Sequence, residues 1–288
     1  MNVQHHCVHP RKVVGTARDS SHDRGADAAG RRIAYRAGMR HADARLVRHT
    51  DHPRHDRLDA LRGFAMLWMA AYHFAFNLNF LGLLEPRQDF LQDPLWTTQR
   101  TAIVALFLFT AGAGQALAMA AGQTRARFWT RWAQIAGCAL LVSLATLLVL
   151  PQNWVSFGVL HGIALMLLLV RLAAPLGPWL WPLGLAVLLL PIFVQHPVFD
   201  TRWTNWVGLV THKPVTADYV PLLPWLGLML WGVAAGQWLL ARRHALLAGA
   251  LPGALAPLAV LGRWPLSFYM LHQPLLIGVI LAWVWLAS

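Results

Sequence analysis

Long apolar runs alternate with short polar ones along this chain. Seven runs have the length that a helix needs to cross about 30 Å of hydrocarbon, roughly 17–25 residues: 61–84, 101–121, 132–150, 155–171, 178–195, 221–241 and 264–286. An eighth apolar stretch, "LLAGALPGALAPLAVLG" at 246–262, is interrupted by Pro252 and Pro257 and is rich in Gly and Ala. It predicts an interfacial or re-entrant connection rather than a crossing. The pattern predicts an all-α fold, a polytopic membrane helix bundle of about seven transmembrane helices.

Composition agrees. Hydrophobic residues make up 57% of the 288 positions and charged residues only 12%, about half the charged share of a soluble domain. The formal charge of +12 invites a nucleic-acid reading, but 12 of the 24 basic residues fall within the first 57 positions, outside the apolar body. No nucleic-acid partner is expected. Residues 1–57 also carry 6 Asp and 8 His without an apolar period, so they predict a disordered basic cytoplasmic tail, followed by a membrane domain over 58–288. Met39 offers an alternative start within that tail, and its "QHHCVH" reads as a solvated His cluster. The first apolar run lacks the cleavage pattern of a signal peptide, so it is expected to stay as a membrane helix. Cys7 and Cys138 belong to different environments, so neither a disulfide nor a metal site is expected.

Loop charges set the orientation. Mixed charge in 85–100 is followed by Arg125, Arg127 and Arg131, then by the uncharged "PQNW", a lone Arg171, a balanced loop with Asp200, Arg202, Lys213 and Asp218, and finally Arg242, Arg243 and Arg263. Every second loop is basic, which places the N-terminus in the cytoplasm and the C-terminus outside. A bacterial inner (cytoplasmic) membrane, with its lipids as surroundings, is the expected location.

Candidate chemistry begins on the first helix, in "RLDALRGFAMLWMAAYH" (57–73). Arg62 and His73 are eleven residues apart, which is three turns plus about 20° and roughly 16 Å of rise. They share one face, together with Met66, Met69 and Asn77. An ionisable group inside a span is costly and usually lines a polar path or site, which singles out His73. All six acids beyond residue 57 lie in loops or near helix ends. Histidine is then the general base available within the membrane, at His73, His161 and His272. Counting depth along each span puts His161 in the same outer half as His73, so these two are expected to share a catalytic site. His272, in the inner half, is expected to line the cytoplasmic access with Tyr269 and Gln273. Gln115, in the small-residue run "FTAGAGQALAMAAG", Asn77 and Trp225 are candidates to line the site. The bland alternatives are a snorkelling Arg62, histidines that only bridge helices, and a Gln115 that acts as interhelical glue.

Five segments, "RLDALRGFAMLWMAAYHF", "FLFTAGAGQALA", "FGVLHGIAL", "DYVPLLPWLGLMLWGVAAGQ" and "LGRWPLSFYMLHQPLLI", occur in an order that resembles the bacterial membrane family similar to the catalytic domain of heparan-α-glucosaminide N-acetyltransferase. The resemblance runs over about 57–280. The Arg62-to-His73 arrangement also resembles the first helix of the wider integral-membrane acyltransferase group. It implies that His73 acts in acyl transfer and that Arg62 supports binding of an acyl-CoA donor such as acetyl-CoA. The loop at 85–100 lacks the histidine usually assigned to the animal enzymes.

The expected function is therefore that of an acyl-CoA-dependent membrane N- or O-acetyltransferase. It would move an acetyl or acyl group from cytoplasmic acyl-CoA to an amine or hydroxyl of an extracytoplasmic sugar or glycan. His73 and His161 are the catalytic candidates, Arg62, His272 and Tyr269 the donor-binding ones, and Asn77, Gln115 and Trp225 line the acceptor side. A transporter or flippase using the histidines as a relay is the rival, opposed by the lack of acids inside the spans and of an internal repeat. A homo-oligomer is left open.

Overall fold

The computed structural model describes residues 55–288; the expectations for the tail before them, including Met39, lie outside the described residues. Within that region the chain is helical, without strands. The order is α1 (Asp56–Phe80), α2 (Pro94–Ala120), α3 (Arg125–Val149), α4 (Val159–Ala173), α5 (Leu180–Phe193), α6 (Trp225–Arg242), α7 (His244–Ala248), α8 (Ala256–Gly262) and α9 (Pro265–Ala287). The seven long helices fall on the seven predicted runs.

Four segments among the described residues are long and apolar enough to cross a membrane: α2, α3, the stretch Val159–Phe193 that holds α4 and α5, and α9. This is an integral membrane protein. The runs at 155–171 and 178–195 form two separate helices that run in opposite senses along α6: α4 passes from Val220 at Gly162 to Gln237 at Ala174, and α5 returns from Trp231 at Trp181 to Gly227 at Gly184. Helices α4 and α5, with 15 and 14 residues, are each only about 21–23 Å long. They join through a 3-10 turn that breaks at Gly177, whose φ of 55° precedes Pro178. Helix α1 is unbroken but less apolar because it carries His73, Asn77 and Asn79, and α6 because it carries Gln237 and Arg242. These are the costs of carrying polar side chains on a spanning face.

Local chemistry sets the helix starts. The Asp93 carboxylate accepts the Leu95 N–H at 2.7 Å ahead of Pro94, and the Thr124 hydroxyl accepts the Arg127 N–H at 3.3 Å, each satisfying a donor that a helix start leaves open. The centre is the crossing of α2 and α6. A Cβ on Gly112 would strike the Met229 carbonyl, and one on Gly232 the Phe109 carbonyl, so two backbones meet where any side chain would separate them. Leu108, Met166, Leu180, Met229, Leu230 and Val233 fill the core around this crossing. Helices α3 and α9 turn Leu140, Leu144 and Leu148, and Leu275, Val279 and Trp283, outward, as a lipid-facing surface requires.

The segment after α6 folds back on the first turns of α1. Arg57 donates to the carbonyls of Leu246 (3.2 Å) and Ala250 (3.2 Å). Gly63 abuts the Leu258 carbonyl and Gly262 the Asp59 carbonyl, and Arg263 pairs with Asp56 at 2.9 Å. Both ends of 246–263 thus meet the same end of α1, the geometry expected of a re-entrant connection.

Candidate active site

The polar stripe of α1 meets α9 in two side-chain pairs. Nδ1 of His73 lies 3.1 Å from Nε2 of His272, and one turn further along, Asn77 donates its amide to Oε1 of Gln273 at 2.8 Å. Nδ1 of His272 in turn lies 2.7 Å from the backbone carbonyl of Tyr269. The Phe268 ring stacks parallel to His272, 3° from coplanar. On the other side of His73, Tyr72 packs edge-on and joins Phe90 and Trp96 in an aromatic cluster, which closes the loop at 85–93 over the end of α1.

The expected pairing of His73 with His161 is corrected. His73 meets His272, and both ring nitrogens of His161 are engaged elsewhere. The Gly158 N–H points at Nδ1 of His161 (3.3 Å), and Nε2 lies 3.2 Å from the Ser143 hydroxyl, which donates to the Val155 carbonyl at 2.6 Å. These bonds are consistent in one tautomer. Nδ1 accepts, so Nε2 carries the proton and donates to Ser143. His161 thus caps the start of α4 and ties it to α3. Depth counted along one helix at a time misses the register between helices; here that register is set by the glycine contacts of α8 with α1 and the short Arg263–Trp264 link into α9.

Arg62 is held by protein atoms. It donates to the Asp59 carboxylate at 2.9 Å, to the Gly262 carbonyl at 3.3 Å and to the Thr110 carbonyl at 3.3 Å. Its guanidinium occupies the space left beside Gly114, where a Cβ would sit 2.8 Å from it. One side chain therefore joins α1, α2 and α8.

A carboxylate also reaches this region, from outside the helices. Asp218, in the loop before α6, accepts the Val159 N–H at 2.7 Å and the Tyr269 hydroxyl at 3.5 Å. Burial pushes its carboxyl above the ordinary aspartate range, opposed by the Val159 and Tyr269 hydrogen bonds and by nearby Lys213. As a loop acid Asp218 lies outside the spans where the sequence points to histidine, and its one sequence signal is its place directly ahead of the prolines of "DYVPLLPWLG". The same loop layer holds a polar cleft of about 280 Å³ lined by Gln152, Trp154, Asp200, Arg202, His212 and Lys213. Burial depresses the Lys213 ammonium below its usual range, with Arg100 adding to the effect and Asp218 opposing it. The Arg202 guanidinium lies 5.5 Å over the Trp154 ring.

Gln115 is buried on α2, and its Nε2 has no hydrogen-bond partner among the described residues. Trp225, at the start of α6, packs against the central core. The structure thus brings His73, Asn77, His272, Gln273, Tyr269 and Asp218 into one connected cluster and leaves Arg62 and His161 in junctions of their own.

No curated protein and no solved structure matches the chain. The family model described as heparan-alpha-glucosaminide N-acetyltransferase, catalytic, matches residues 54–274, from the start of α1 to Pro274, two residues past His272 of α9. Because this match spans most of the chain, including every residue of the histidine cluster, the protein belongs to the heparan-α-glucosaminide N-acetyltransferase catalytic-domain family.

Proposed function

We propose that the protein transfers an acetyl or other acyl group from cytoplasmic acyl-CoA, across the membrane, to an amine or hydroxyl of an extracytoplasmic sugar or glycan. The observation that carries this reading is the His73–His272 pair in the α1–α9 seam, within a chain of an acetyltransferase family. Arg62 and His73 sit about 16 Å apart along one face, a distance that the pantetheine arm of CoA can span. The donor's phosphates would lie among the basic groups at the Arg62 end, near Arg57 and Arg263, with the thioester at His73.

Nε2 of His73 has no hydrogen-bonding side chain among the described residues, and this is the atom the chemistry needs. Two routes fit it. As a general base it takes the acceptor's proton while the acceptor attacks the thioester carbonyl; the C–S bond breaks and the proton passes on to the departing thiolate. As a nucleophile it forms an acyl-imidazole, releases CoA, and gives the acyl group to the acceptor in a second step. The amide of Asn77, one turn along α1 from His73, is the donor we assign to the developing oxyanion, whereas Gln115 follows Gly114 at the Arg62 end. The cleft around Trp154, Arg202 and Lys213 lies in the loop layer that Asp218 ties to Tyr269, and we assign acceptor access to this side.

The test is purified full-length protein in lipid with acetyl-CoA and a panel of amino sugars and glycans. Acceptor-dependent release of CoA with an acetylated product supports the reading. Saturable solute movement without CoA release would favour a transporter instead.

A further inference from the structure

We infer that His272 is a positioning residue that fixes the tautomer of His73, with the proton on Nδ1 and a bare Nε2 facing the substrates. The sequence assigns His272 to donor binding, and the hydrogen-bond chain gives it a different task.

The argument starts at a backbone oxygen. The Tyr269 carbonyl, 2.7 Å from Nδ1 of His272, has only lone pairs to offer, so Nδ1 of His272 must carry a hydrogen. An imidazolium inside a spanning helix is costly, and the neutral ring has a single N–H. Nε2 of His272 is therefore an acceptor. Nδ1 of His73 faces that lone pair at 3.1 Å, and the contact is attractive only if Nδ1 of His73 donates. His73 then has its one proton on Nδ1, which leaves Nε2 as a free base. The opposite tautomer would set two lone pairs against each other in a low-dielectric seam, where unpaired polar groups cost most.

The surroundings hold this chain in place. Phe268 stacks on the His272 ring, which fixes its plane. Asn77 and Gln273 bind α1 to α9 one turn away. Asp218 receives the Tyr269 hydroxyl, so the residue whose carbonyl begins the chain is tied at its side chain too. When Nε2 of His73 takes a proton from the acceptor, the charge formed on the ring is shared through Nδ1–H with His272 and, beyond it, with the Tyr269 carbonyl. No net proton is gained or lost by His272 in this route.

The role in transfer rests on the acyltransferase reading, whereas the tautomer does not, and two readouts separate them. The first is nitrogen NMR of full-length, histidine-labelled protein in lipid, with the His73 signals assigned by their loss in His73→Gln. A proton on Nδ1 of His73 in the wild type supports the inference, and a proton on Nε2 overturns it whatever the activity. The second is acyl-transfer kinetics. His272→Phe keeps a ring against Phe268 but removes the acceptor, and should lower kcat about 10²-fold with the KM for acetyl-CoA changed less than about threefold. His272→Gln places an acceptor oxygen near the position of Nε2 and should stay within about tenfold of wild type. A raised KM at unchanged kcat would make His272 a donor-binding residue and overturn the inference, as would equal kcat losses in Phe and Gln. If the wild type transfers no acyl group at all, the acyltransferase reading falls, and the NMR result still decides the tautomer.

Discussion

Arg62 and His73 share one face of α1, yet they are treated in opposite ways. Arg62 spends three donors on a carboxylate and two carbonyls belonging to α1, α8 and α2. His73 meets His272, through Nδ1, and the Met69 backbone of its own helix, and no side chain hydrogen-bonds to its Nε2 among the described residues. A group tied to three helices is structural and an open one is chemical. The difference teaches that position on a polar stripe does not assign a role; the hydrogen-bond ledger of each residue does.

The largest expected effect follows from the Arg62 end. Arg62→Ala would remove a buried donor from two carbonyls and one ion-pair partner from Asp59, and should cost about 3 kcal/mol of stability, read as a lower melting temperature and poor yield. A variant that melts like wild type but shows a raised KM for acetyl-CoA would move Arg62 from the frame to the donor site and dissolve the contrast.

His161 sharpens the contrast from a third position. One of its nitrogens caps the start of α4 and the other meets Ser143 of α3, so His161→Gln should cost about 1 kcal/mol, the worth of a helix cap, and leave kcat within about twofold of wild type. A tenfold fall in kcat at unchanged melting would return His161 to the reacting atoms.

The smallest effect is a slope. Burial raises the folded-state pKa of Asp218 above its ordinary 3.8, so the folded protein keeps a proton that the unfolded chain releases. The stability gained from that proton is present at low pH and fades as pH rises through the folded value. Asp218→Asn keeps an acceptor for the Val159 N–H and cannot ionise, so its stability relative to wild type should improve as pH rises from about 4 towards neutrality. Parallel pH profiles for the two proteins would mean that the loop carboxylate is not buried as described.

Much of the bundle was legible in the sequence, because apolar length and proline breaks act locally. The seven helices, the folded-back 246–262 segment and the close approach at Gly112 follow from such signals. The division of Val159–Phe193 into two helices is read from Gly177 and Pro178, where the chain breaks and turns back along α6. Among the site residues, the stripe with His73 was readable from helical geometry. Its partner was not: whether α9 offers His272 or α4 offers His161 depends on how helices register, and that is decided by glycine contacts between α1 and α8 far along the chain. Asp218 was hidden for a related reason, since a loop acid becomes buried only once the loop folds over the start of α4.

The central claim is that the free nitrogen of His73 carries acyl transfer. The most direct measurement compares acetyl-CoA turnover by purified wild type and His73→Ala, both checked for the same melting temperature and homogeneity. We expect His73→Ala to melt like wild type and to lose about 10²–10⁴-fold in turnover; a folded His73→Ala protein that turned over acetyl-CoA at the wild-type rate would contradict the account.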